Sequence, residues 1–160
     1  MRQKLIARYR YIWTVELINA FVVFPGLVWV MRRNFGIGVF TIAATTSFCL
    51  LLIIGATFAL LKGRDLRRGT QQLNTFAGSF RRLRTMIPIL LVALLLIFVV
   101  QWQALTTADR FFGLIMFSMA ALEYINYFHI QLMYDNRVDL KYLFTQKKPK
   151  RGLIAREFGW

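Results

Sequence analysis

The sequence predicts an all-α integral membrane protein: a four-transmembrane-helix antiparallel bundle of two hairpins, with both termini inside and a basic amphipathic inner loop. Three observations lead there. Hydrophobic residues fill 58% of the 160 positions, more than a soluble domain of this size can bury. They gather into four runs, 11–31, 37–61, 86–105 and 111–134, each near the ~20 residues that cross a bilayer. Finally, the cations are distributed by side. Four precede the first run, seven lie between Lys62 and Arg84 and seven follow Tyr134, which makes eighteen against Arg32, Arg33 and Arg110 on the other side. That asymmetry places both termini and the long loop in the cytoplasm and suits a bacterial inner membrane.

The net charge of +14 would suggest nucleic acid in a soluble protein. Here the Lys and Arg residues bracket apolar runs, so no nucleic-acid partner is expected. The single cysteine, Cys49, lies within an apolar run and excludes an internal disulfide or a cysteine zinc site. Arg2, Lys4, Arg8 and Arg10 resemble the charged region of a signal peptide, but the run behind them spans a bilayer and ends in Phe24-Pro25-Gly26 rather than small residues, so it reads as a retained first span.

Within the first span, Pro25 predicts a kink just beyond Asn19. A tight turn at 32–36 leads to the second span, where Thr41, Thr45, Thr46 and Ser47 are expected to bond their own helix, and where Ala43 with Ser47 and Gly55 with Ala59 form small-residue faces for close packing. The inner loop, 62–85, carries Leu66, Leu73, Phe76, Phe80 and Leu83 at helical spacing, flanked by Arg67, Arg68, Arg81, Arg82 and Arg84. This pattern predicts a basic amphipathic helix in the membrane interface, weakened by Gly69 and Gly78. The third span is almost pure Leu, Ile, Val and Phe and should face lipid, with Pro88 in its first turn. A second tight turn, at 106–110, leads to the fourth span. The transmembrane domain closes near residue 136, and 137–160 reads as a basic cytoplasmic tail, in which 137–144 suits a short amphipathic turn and 146–152, with Lys147, Lys148, Lys150 and Arg151, is extended and without rigid order.

The polar residues inside the spans carry the functional expectation. Glu123, Asn126 and His129 recur every three residues along the fourth span, with Tyr127 one position beyond Asn126, while Glu16 and Asn19 repeat the Glu-x-x-Asn pair in the first. Counting depth at ~1.5 Å per residue predicts Glu16 opposite His129 and Asn19 opposite Asn126, with Glu123 deeper. A carboxyl facing lipid costs ~3 kcal/mol on insertion scales, so these groups should turn inward. Motifs for a serine hydrolase, a zincin or a nucleotide loop are absent.

The expectation is therefore a non-enzymatic membrane protein, an accessory or scaffold subunit or a homo-oligomer, whose cluster serves as interhelical glue. Its partners would be anionic lipid at the basic inner face and either another membrane protein or itself. The same residues allow two alternatives. One is a small proton-coupled transporter or channel using Glu123 and His129. The other is a haem- or chlorin-binding subunit with His129 as ligand; outside that alternative no cofactor or metal is called for.

Overall fold

The computed structural model describes residues 2–132, 145 and 149–160. Those residues are helical apart from turns and one isolated bridge between Ile130 and Arg151, and four helical stretches are long and apolar enough to cross a membrane. The first stretch, Arg2–Phe35, comprises α1 (Arg2–Ile18), a π-helical turn (Asn19–Val23) and α2 (Phe24–Phe35). The disturbance predicted at Pro25 takes the form of that π turn. The Phe24 N–H reaches back five residues to the Asn19 carbonyl, and Pro25 then falls in the first turn of α2, where a missing donor costs little.

The central element is α3 (Val39–Arg68). Of its most apolar window 67% is buried, against 11% for the Arg2–Phe35 stretch. Composition explains this position. Ala44, Gly55, Ala56 and Ala59 let neighbours come close, and Phe40, Phe48 and Phe58 fill the gaps between them. Tyr9 lies opposite Gly63, Glu16 opposite Gly55 and Phe24 against Phe48, so α1 descends as α3 rises.

Two further helices complete the packing. α6 (Thr107–Phe128) runs alongside α3 in the same direction, from the Asp109–Thr41 contact to Tyr127 over Gly55. α5 (Ala77–Val100) offers Phe80, Ile87, Leu91, Leu94 and Phe98 as one buried stripe at helical spacing, while Ile89, Leu96, Val99 and Val100 remain exposed.

Three features depart from expectation. The inner loop is not a separate interfacial helix. α3 continues to Arg68 and ends on Gly69, whose left-handed backbone (φ 71°) closes the helix by donating its N–H to the Asp65 carbonyl. After a four-residue turn, α4 (Gln72–Thr75), α5 is already helical at Ala77. The predicted apolar stripe is buried in the protein only in part: Leu73 and Phe80 lie in the core, while Phe76 is exposed. Asp65 organises this connection, its carboxylate accepting from Thr70 Oγ1 (2.7 Å) and from the Gln72 and Leu73 N–H groups (2.9 Å each).

Because α5 begins so early, Pro88 lies inside it rather than in its first turn. Proline there strands the carbonyl of Arg84, four residues back. The Tyr124 hydroxyl of α6 donates to that carbonyl at 2.9 Å and closes the gap.

The third departure concerns the tail, of which 133–144 and 146–148 lie outside the described residues. Of the stretch expected to be extended, 146–152, the described residues 149–152 instead fold back on residues 129–131, and 153–160 continue as a packed segment. Gly152 sits against the carbonyls of Asn126 and Tyr127, where a Cβ would come within 2.7 Å of them. α7 (Leu153–Phe158) follows, burying Ile154 and Ala155 completely. Phe158 stacks on Trp160 and meets Phe58 and Phe80, Lys62 pairs with Glu157, and the Arg84 guanidinium lies over the Trp160 ring. This segment caps the end of the molecule where α1 begins, α3 ends and α5 begins, called the basic end below.

Candidate functional site

The polar cluster forms where α1, α3 and α6 converge, and Gly55 makes it possible. A Cβ at Gly55 would lie 2.1 Å from the Tyr127 hydroxyl and 2.6 Å from Glu16 Oε2. Only glycine lets α1 and α6 side chains meet across α3. Tyr127 is buried and donates its hydroxyl hydrogen to Glu16 Oε1 at 2.8 Å, while Glu16 Oε2 is buried without a partner among the described residues. The half-buried Glu123 lies near both groups. Asn126 Nδ2 donates to Glu123 Oε1 at 3.4 Å, and Asn126 Oδ1 accepts from the Leu132 N–H at 2.9 Å.

Chemically this is two carboxyls around one phenol. Tyr127 has a single hydroxyl hydrogen and cannot donate to both. The Tyr127–Glu16 bond ties α1 to α6 across Gly55 of α3, and two carboxyls beside a phenol are groups able to hold a proton.

His129 and Asn19 stand apart from it. α6 stops at Phe128, so His129 leaves the helical stripe that Glu123 and Asn126 share, and its ring turns back to Tyr124, with Nε2 3.1 Å from the hydroxyl. The predicted Glu16–His129 pairing is replaced by Glu16–Tyr127, because the depth count assumed a helix continuing to 134. Since Tyr124 gives its hydrogen to the Arg84 carbonyl, His129 Nε2 must be the donor in this pair. A metal at His129 would therefore bind Nδ1 or break the bond to Tyr124. Asn19 sits in the π turn, and Asn126 makes its hydrogen bonds to Glu123 and Leu132 instead.

A second buried polar centre, not anticipated from the sequence, lies at the opposite end. Asp109 is 1% exposed and accepts from the Thr41 N–H at 2.9 Å and from Thr41 Oγ1. It caps the start of α3 from the first turn of α6, and Gly38 leaves room for it. Thr45, Thr46 and Ser47 bond their own helix as expected, whereas Thr41 is the exception.

The cations gather at the basic end. Arg67 and Arg68 occupy the last turn of α3 and are exposed, as are Arg81 and Arg82 at the start of α5; Arg84 is half-buried under Trp160. Lys150 and Arg151 belong to the segment that folds back on residues 130–131, and Lys147 and Lys148 lie outside the described residues. Arg10 and Arg64 join this group. Comparison with protein-family models, curated proteins and solved structures yields no match.

Proposed function

We propose that this chain is a small non-enzymatic multi-pass membrane protein, oriented with its basic end in the cytoplasm, that serves as an accessory or scaffold subunit or as a homo-oligomer. One observation carries the reading: the polar groups within the spans join helix to helix. Tyr127 links α6 to Glu16 of α1 across α3, Asp109 links α6 to α3, and Tyr124 links α6 to α5. Groups engaged this way fix register, which is what a platform for other molecules requires. The cations described at the basic end supply the face that meets anionic lipid or an acidic partner.

A second reading, a small proton-coupled carrier, is favoured by one feature, the buried Glu16 Oε2, without a partner among the described residues, beside the Tyr127 phenol. Proton flux into vesicles holding the purified protein separates the two. The scaffold reading expects no flux above empty vesicles and an unchanged native mass in Glu123→Gln. Flux in the parent that vanishes in Glu123→Gln would overturn it. A native mass and absorption spectrum in mild detergent complete the test: an added polypeptide or a defined oligomer supports the scaffold, and a bound chromophore that His129→Ala bleaches would replace it with the cofactor reading.

A further inference from the structure

Between α1 and α3 at the basic end lies an open cleft of about 420 Å³. Its charged lining is made of arginines: Arg10 from α1, with Arg64 and Arg67 from α3. The two α3 residues are three apart and so share a face, and Arg10 addresses them from across the groove. The floor is Leu60 and Gly63, with Ile6 and the half-buried Trp13 alongside. Glycine at position 63 keeps the floor low: only Tyr9 Cβ would meet a Cβ there, at 3.4 Å.

The positive charge in this cleft is uncompensated by the acids described nearby. Asp65 turns away to hold Thr70 and the start of α4, and Glu157 is paired with Lys62. Among the described residues none of the three guanidinium groups forms an ion pair. Three guanidinium forks around an apolar floor match a phosphate group attached to a hydrocarbon body, because arginine binds phosphate oxygens two at a time and its stem accepts apolar contact. Trp13 stands one turn deeper than Arg10, at the level where an amphipathic ring suits the boundary between headgroup and acyl chain. Beyond it exposed Ile18 at the end of α1 and Phe21 in the π turn continue the apolar surface, a path for an acyl chain.

We infer that this cleft is a binding site for the phosphate headgroup of an anionic phospholipid of the inner leaflet, held by Arg10, Arg64 and Arg67 with Trp13 at the glycerol level. The inference rests on the proposed orientation, which puts the basic end at the cytoplasmic surface. It narrows a diffuse basic face to one stoichiometric site.

Native mass spectrometry and lipid exchange of the full-length protein, offered phosphatidylglycerol against phosphatidylcholine, test it. The expected result is one retained phosphatidylglycerol per chain and a preference that falls about fivefold for each arginine replaced by Gln at positions 10, 64 and 67. Arg→Lys at the same positions should recover part of the loss. The control is the double variant R81Q/R82Q, which removes as much charge elsewhere on the same end and should leave the retained lipid in place. If R81Q/R82Q weakens retention as much as R10Q/R64Q does, the site is overturned while the basic-face reading stands. If the parent shows no preference for phosphatidylglycerol, both fall. Equal displacement by inorganic phosphate and by phosphatidylglycerol would assign the cleft to a soluble phosphate and overturn the lipid. Far-ultraviolet circular dichroism of each variant confirms that loss of lipid is not loss of fold.

Discussion

Replacing Tyr124 by Phe removes one hydroxyl and uncovers a defect that α5 cannot repair. Position 88 is proline, so the Arg84 carbonyl has no N–H four residues ahead, and its donor is the Tyr124 hydroxyl at 2.9 Å. Interhelical hydrogen bonds inside membranes average ~0.6 kcal/mol with a ceiling near ~1.7 kcal/mol. Stranding a buried acceptor adds a share of the ~1–3 kcal/mol desolvation cost. Arg84 and Tyr124 are half-buried, so the substitution should cost about 1–2 kcal/mol. In a Pro88→Ala background the restored N–H takes over the carbonyl, and Tyr124→Phe should then cost less by ~1 kcal/mol, a coupling that a double-mutant cycle reads directly. The four proteins would be unfolded with SDS in mixed micelles and followed by tryptophan fluorescence and circular dichroism. Equal cost of Tyr124→Phe in both backgrounds, within the ~0.3–0.5 kcal/mol scatter of independent sites, would refute the claim that the tyrosine exists to serve the proline.

Helix propensity alone predicts that Gly55→Ala gains ~1 kcal/mol. The Cβ lying 2.1 Å from the Tyr127 hydroxyl instead predicts a net loss of about 1–3 kcal/mol in the same assay, while Gly26→Ala, which meets nothing within 4 Å, should be neutral or stabilising. Asp109→Ala leaves the Thr41 N–H without its acceptor and the Thr41 hydroxyl with only the main-chain carbonyl of residue 109, and should cost ~1–3 kcal/mol. Combined with Thr41→Val it should cost clearly less than the sum, and additive losses would sink the pairing. Ile154→Ala should loosen the docked C-terminal segment by about 2 kcal/mol or more. It should do so more than Glu157→Gln, since the Lys62–Glu157 pair is about a quarter exposed and worth under ~1 kcal/mol; limited proteolysis of that segment would rank the two.

What the sequence revealed and what it hid divide along a physical line. Four spans were legible because a bilayer demands ~20 consecutive apolar residues whatever packs beside them. The aliphatic third span was legible as outward-facing for the same reason, and Leu73 and Phe80 were legible as one apolar stripe. Periodicity does not say whether such a stripe meets lipid or protein, so an interfacial helix was expected where the chain builds part of its own core. The polar residues follow the same division. Pro25 and Pro88 announce that the backbone near them will need help, and Glu16 and Glu123 announce that a carboxyl will need company. No single sequence says that a π turn answers the first proline and Tyr124 the second, or that Glu16 finds Tyr127 rather than His129. Asp109 was missed because it looks like an ordinary acid in the first turn of a helix, where the dipole alone would justify it. Its acceptor role is fixed by Thr41, 68 residues away. A buried group's need for a partner is written locally in the chain, while the partner's identity is a property of the packing. That is why Gly55, a residue with no functional group, decides which partners Glu16 and Tyr127 can reach.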